Sequence, residues 1–209
     1  MTGSHFGAKV VMNMAKKGDK YERILQAAQT VISEKGFDKA AVSDIVQEAQ
    51  VAKGTFYLYF DSKAALVPAL TEALLKNTLN EIIQRYDHME HKTFEEMIQT
   101  IIDVQFNFTN EYKNIILLTY SRLAYDQSFD KWEIIYGPYY KWLEEQLNEG
   151  QRAGYICGEM DAGHASQIII NLVDHAAERY YFQDRKQDSI DAYKREVAQF
   201  IYRAVGLKK

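Results

Sequence analysis

The chain has 209 residues with 47% hydrophobic content, 25 Lys and Arg against 29 Asp and Glu, and a net charge of −4. That length suits one sizeable domain or a small domain fused to a larger one. A single cysteine, Cys157, excludes an internal disulfide, and no run of 18 apolar residues supplies a membrane span. Proline occurs only at Pro68 and Pro138, which favours an all-α protein over one built from many short strands. The charge is uneven. Residues 1–66 hold nine Lys and Arg against seven Asp and Glu, a net +2, which leaves −6 on residues 67–209. The N-terminal part is therefore the better face for phosphates.

Residues 1–15 have too short an apolar stretch for a signal peptide and read as a disordered extension. Asp19 with Glu22 fits a capping box for a first helix. Ile24, Ala27, Ala28, Val31 and Ile32 give it one buried face, and Gly36 ends it. A second short helix is expected over 42–49, with Val42, Ile45, Val46 and Ala49 as its stripe. After a turn at Gln50–Ala52 comes a third, over about 53–60, with Phe56 and Phe60 facing inward. Tyr57 and Tyr59 then point elsewhere, and two large aromatics off the core face need a reason.

Ser62 can cap a fourth helix reaching about Asp87. Pro68 falls inside it and calls for a kink or a late start. Thr93–Phe108 carries Phe94, Met97, Ile98, Ile101, Ile102 and Gln105 in helical phase, and another helix covers about 112–126. Gly137-Pro138 reads as a break, with Pro138 opening a helix that ends near Gly154. Two long helices close the chain. Asp161 to about Phe182 stripes Ala165, Ile168, Ile169, Leu172, Val173 and Ala176. Ser189 to Val205 stripes Ile190, Tyr193, Val197, Phe200, Ile201 and Ala204, and is stopped by Gly206. The total is about nine helices.

Helix, short turn and helix over 42–60, with a supporting helix before them, is the arrangement that lays a second helix in the DNA major groove. The segment VSDIVQEAQVAKGTFYLYFDSKAAL, Val42 to Leu66, resembles the DNA-binding signature of the TetR family of regulators, most specifically at Val51–Lys63. The resemblance implies a DNA-binding domain over 16–62 and a helical ligand-binding and dimerisation domain over 63–209. By the same resemblance Lys53, Gly54 and Thr55 open the recognition helix at phosphates and bases. Tyr57 and Tyr59 lie against the DNA backbone, and Lys63 meets phosphate at the start of the fourth helix. Ser43, at the start of the second helix, is a weaker candidate that stands equally as a helix cap. Each also has a plainer reading: Tyr57 and Tyr59 as cover for apolar surface, Lys53 and Lys63 as solvated charges. Four positions depart from the family pattern. Gln50 stands where a turn glycine is common and calls for a left-handed residue or another geometry. Ala52 replaces a common serine, Ala40-Ala41 replace a frequent cap, and Ala64 replaces a frequent glutamate.

Aromatics concentrate after residue 100, from Phe106 to Trp142. The resemblance implies a pocket for a small, largely apolar effector among the middle helices. Phe106, Tyr120 and Trp132 are its candidates, against plain core packing. The last two long helices resemble the family's four-helix dimer interface. The expected protein is a cytoplasmic homodimer on double-stranded, palindromic operator DNA, a repressor released by ligand. The fourth helix would link the domains, with Pro68 either a hinge or a static kink. No cofactor is expected and no catalytic or metal residues are assigned. His88 with His91, and Asp161 with His164, lack the paired Glu-x-x-His motifs of a di-iron bundle. The alternative function is a helical interaction module of the same fold without specific DNA binding.

Overall fold

The computed structural model describes the backbone of residues 4–126, 129–183 and 189–208, and the side chains of 18–120, 133–183 and 189–208. Among these residues there are helices and no strands. In chain order they are α1 (Ser4–Lys35), α2 (Val42–Glu48), α3 (Lys53–Tyr57), α4 (Leu66–Asp87), α5 (Phe94–Glu111), α6 (Lys113–Asp126), α7 (Phe129–Ala153), α8 (Ala162–Phe182) and α9 (Ile190–Ala204). The chain divides into two compact units. The first takes residues 1–73 and 114–125, the second 74–113 and 126–209. The expected boundary at 62/63 falls within the first of these units. Leu66 and Leu70, in the first turns of α4, are buried, and the Thr71 hydroxyl lies 3.0 Å from that of Thr119 on α6. This ties the start of α4 into the first unit.

In the first unit, α1 is helical from Ser4, so the segment expected to be disordered is helical there and Asp19 caps nothing. It sits inside the helix, 3.9 Å from Arg23 one turn on. Ala8, Met12, Met14, Ala15, Lys16 and Lys17 are strong helix formers with no proline among them, which carries the helix back past Asp19. Ile24, Leu25, Ala27, Ala28, Val31 and Ile32 form the buried stripe. Gly36 ends α1 at φ +75°, its N–H donating to the Ile32 carbonyl at 2.9 Å. Helix α3 stops at Tyr57, short of the expected 60. The chain nevertheless coils on, with the N–H groups of Tyr59 and Phe60 both donating to the Phe56 carbonyl at 3.0 Å. Phe60 thereby still reaches the core beside the fully buried Phe56.

The structure resolves the Pro68 question as a late start. Ser62 Oγ accepts from the Ala65 N–H at 3.2 Å across a turn, and α4 begins only at Leu66. Pro68 then lies in the first helical turn, where a missing N–H costs no bond. It kinks nothing.

In the second unit α5 packs on α8 and α9, and α8 on α7 and α9. Thr93 caps α5 with a full capping box: its hydroxyl accepts from Glu96 N–H at 3.2 Å and the Glu96 carboxylate from Thr93 N–H at 3.0 Å. Phe94, Met97, Ile98, Ile101, Ile102 and Gln105 are all buried, as their phase requires. The break expected at Gly137-Pro138 is absent. Helix α7 runs continuously through Pro138. Pro138 and Ile134, whose carbonyl loses its partner, are both exposed, so water replaces the missing hydrogen bond. Asp161 caps α8 by accepting from His164 N–H at 2.7 Å. Gly206, at φ +61°, follows the end of α9.

Candidate nucleic-acid interface and ligand site

The first unit holds α3 from behind with an apolar wedge. Phe56 and Phe60 are buried, Tyr21 of α1 stacks on Phe60 at 5.4 Å, and Tyr59 meets Tyr21 edge-on at 5.6 Å. What remains on the outer side of α3 is polar and accessible: Lys53 and Gly54 are exposed, Thr55 half-buried, and Tyr57 is 47% exposed. Gly54 has neither a positive φ nor any atom within 4 Å of where a Cβ would stand. Nothing inside the chain requires a glycine there.

Two of the departures from the family pattern, Gln50 in the turn between α2 and α3 and Ala41 just before α2, are met by other side chains. Gln50 adopts φ +52°, the left-handed conformation that glycine occupies without strain. The Arg23 guanidinium of α1 donates to the carbonyls of both Ala49 and Gln50, the second at 3.1 Å. Two carbonyls left over by the end of α2 and the strained residue are thereby satisfied. Ala41 cannot cap α2, yet its N–H donates to the Asp44 carboxylate at 3.1 Å, and Lys35 closes on the same carboxylate at 3.1 Å. That N–H, then Lys35, holds the Asp44 carboxyl below its ordinary value.

The remaining predicted DNA residues separate. Ser43 is exposed at the start of α2. Tyr59 is half-buried against Tyr21. Lys63 turns back into its own unit. Its ammonium donates to the carbonyls of Phe37 and Ala40, the latter at 2.8 Å, and sits 4.3 Å from the centre of the Phe37 ring. It brackets the loop between α1 and α2. Sequence reasoning saw its charge and could not see these carbonyls.

Residues 24–70 match the model for bacterial regulatory proteins of the tetR family, and residues 98–205 match a tetracyclin repressor-like C-terminal domain. The chain belongs to the TetR family of transcriptional regulators. It is 46% identical over 187 residues to the uncharacterised HTH-type transcriptional regulator YvdT of Bacillus subtilis (strain 168), covering 90% of this chain and 95% of that one. It is 31% identical over 184 residues to the fatty acid metabolism regulator protein of the same organism, covering 85% and 91%. Among solved structures, the transcriptional regulator FadR from Bacillus subtilis in complex with stearoyl-CoA superposes with a TM-score of 0.68. Its identity is 27%, over 87% of this chain and 97% of that one.

Most of the second unit lies within the residues that match the tetracyclin repressor-like C-terminal domain. Of the three pocket candidates, one falls in each unit and the third has no described side chain. Phe106 is fully buried among Tyr180, Tyr181 and Tyr193, with the Lys194 ammonium 5.4 Å from its ring, and is a core residue of the second unit. Tyr120 stands 45% exposed on α6 in the first unit. The side chain of Trp132 lies outside the described residues. Sequence reasoning missed Asp174. It is buried on α8, accepts from the Tyr136 hydroxyl at 2.9 Å, and is pushed up to about 7 by burial, against the lowering effect of that bond. The signal was available: Asp174 falls in phase with Ile170 and Ala177 on the buried face. His88 and His91 are exposed, and among the described residues no helix is long and apolar enough to cross a membrane.

Proposed function

We propose that this regulator is a homodimeric repressor that binds a palindromic operator through α3 and is released by a long-chain acyl-coenzyme A. The ligand class rests on one observation: a relative of the same fold, aligned over nearly its whole length, holds stearoyl-CoA. The 31% identical fatty acid metabolism regulator supports it. On the DNA side, Lys53, Gly54, Thr55 and Tyr57 form an accessible face backed by a rigid aromatic wedge, which suits backbone and base contacts in a groove. Ser43 and Tyr59 flank that face. Lys63 contributes by fixing the loop beneath α2 and adds a phosphate contact only if it leaves its carbonyls.

Dimerisation through α8 and α9 is supported by their unpartnered apolar side chains. Ile168 is 65% and Phe200 is 60% exposed, in phase with buried neighbours on each helix. A second copy of the same pair of helices would cover them as a four-helix bundle. The switch follows from linkage: acyl-CoA prefers a state of the dimer whose recognition helices fit the operator less well, and the operator prefers the other.

The test is selection of bound duplexes from random DNA at moderate salt, followed by titration of the selected complex with stearoyl-CoA. A palindromic consensus, steep salt dependence and release by micromolar stearoyl-CoA are expected. Selection without enrichment would leave the helix-turn-helix without its DNA role and put an interaction module in its place. A palindrome that stearoyl-CoA fails to release would keep the DNA reading and remove the ligand.

A further inference from the structure

Five threonines are buried in the helices: Thr71, Thr78, Thr100, Thr109 and Thr119. Four of them satisfy their own hydroxyls. Thr71 donates to the Val67 carbonyl at 2.9 Å, Thr78 to Leu74 at 2.9 Å, Thr100 to Glu96 at 2.7 Å and Thr119 to Ile115 at 2.8 Å. Each bond runs to the carbonyl four residues back, the ordinary resting place of a helical threonine hydroxyl. Thr109 is the exception. It is 0% exposed, and its Oγ1 has no hydrogen-bond partner among the described residues.

One turn earlier on the same face, Gln105 is 3% exposed and its Oε1 is likewise without a partner among the described residues. A buried polar atom left unpaired costs about 1–3 kcal/mol, and native proteins keep few of them. Two in succession at i and i+4 form one polar spot, continuing a face on which Ile98, Ile101 and Ile102 are fully buried. The spot is uncharged and lies on the α5 face that buries Ile98, Ile101 and Ile102. Its amide and hydroxyl both donate and accept. It suits the uncharged carbonyl of an otherwise apolar molecule. A carboxylate would need a cation, and no Lys or Arg among the described residues is buried.

We infer that Gln105 and Thr109 on α5 are the hydrogen-bonding contact for the acyl carbonyl of the effector, holding it within the second unit while the chain lies along apolar side chains. This rests on the reading above that the effector is a fatty acyl compound. It adds the residues that register the chain by its carbonyl. A thioester and a protonated fatty acid present the same oxygen, so stearoyl-CoA and stearic acid are both used as probes.

The experiment is calorimetric titration of the full-length dimer with each probe, for wild type, Thr109→Val and Gln105→Leu, with Thr100→Val as comparison. Thermal melting of the ligand-free proteins is measured in parallel. Thr109→Val keeps the shape and removes an unpaired hydroxyl. The free protein should melt at the same or a higher temperature, while its Kd for the bound probe rises about fivefold to tenfold. Thr100→Val breaks a made hydrogen bond: it should lower the melting temperature and leave Kd unchanged. The opposite signs separate a ligand contact from a structural one. Gln105→Leu should weaken binding similarly, even if its bulk shifts stability. If the wild type binds a probe and Thr109→Val binds it within twofold, the contact is refuted and the fatty acyl reading survives. If the wild type binds neither probe, both fall.

Discussion

Replacing Gly54 by alanine separates what the protein needs from what the DNA needs. Inside the chain a methyl group at residue 54 meets nothing, and the backbone conformation is one that any residue adopts. Alanine is about 0.5–1 kcal/mol better than glycine within a helix, and near the start of so short a helix the lower figure applies. The free protein should therefore melt slightly higher. Against DNA the sign reverses if the backbone at Gly54 approaches the groove wall. An inserted methyl in a packed contact costs about 1–3 kcal/mol, and a dimer presents two copies. The loss is then about 2–6 kcal/mol, a weakening of roughly thirtyfold or more. The assay is fluorescence anisotropy of a selected duplex at fixed moderate salt, with thermal melts of the same preparations. Affinity within twofold of wild type would refute the close approach of α3 at this residue. A fall in melting temperature would instead mean that Gly54 serves the fold, contrary to the open space around it.

The two lysines should part company in the same assays. Lys53→Ala leaves stability unchanged and lowers the salt slope of DNA binding by about one ion per subunit. Lys63→Ala removes charge-assisted bonds to the Phe37 and Ala40 carbonyls, lowers stability by about 1–2 kcal/mol in this half-exposed site, and leaves the slope nearly intact. Gln50→Gly relieves a left-handed non-glycine residue and should stabilise by up to about 1 kcal/mol in chemical denaturation, since its φ of +52° is free for glycine. Asp174 titrates near 7 in the folded chain against an ordinary 3.8. The folded state holds its proton more tightly than the unfolded state. The contribution is complete below about pH 4 and is lost as pH rises to about 7, a swing of no more than about 4 kcal/mol. Asp174→Asn keeps an acceptor for Tyr136, so it should flatten that decline and raise the melting temperature above pH 7 with little change near pH 4. A parallel pH profile would show that the carboxyl does not titrate there. Phe200→Glu should give a monomer by light scattering at micromolar concentration and abolish tight operator binding.

Periodicity alone located most of the helices, because each has a buried stripe whose spacing is written in residue order. The expected stripes of α1 and α5 are buried throughout, whereas those of α8 and α9 are buried in part, with Ile168 and Phe200 exposed. The errors fall where a local rule met a competing one. Asp19 looked like a cap because the residue type favours caps, but the helix formers before it extend α1. Gly137-Pro138 looked like a break, but the proline sits on a solvent side where its lost bond goes to water. The pocket was the least legible part. An aromatic residue carries no mark that distinguishes a cavity wall from a core, and the tyrosines around the buried Phe106 lie far from it in sequence. Polar residues in an apolar phase were the better signal: Gln105, Thr109 and Asp174 all stand on buried faces where apolar side chains would be expected.

The recognition turn shows why the departures from the family pattern do not unmake the motif. A glycine at residue 50 would allow the left-handed turn without cost, and a serine or threonine at 41 would cap α2 directly. This chain has neither. It reaches the same geometry through side chains that are distant in sequence or one turn away. Arg23 of α1 ties down the Ala49 and Gln50 carbonyls, Asp44 captures the Ala41 N–H, and Lys63 grips the loop in front of α2. The Arg23 bonds join the turn to α1, which Tyr21 packs onto Phe60. The position of α3 is therefore set by a ring of contacts around the motif, not by the motif residues alone. Arg23→Ala in this chain should cost DNA affinity more than stability, and Arg23→Ala combined with Gln50→Gly should recover part of it, because glycine no longer needs holding in the left-handed region. If the double variant bound no better than Arg23→Ala alone, the guanidinium would be acting on DNA or on α1 itself, and the turn would owe its shape to something else.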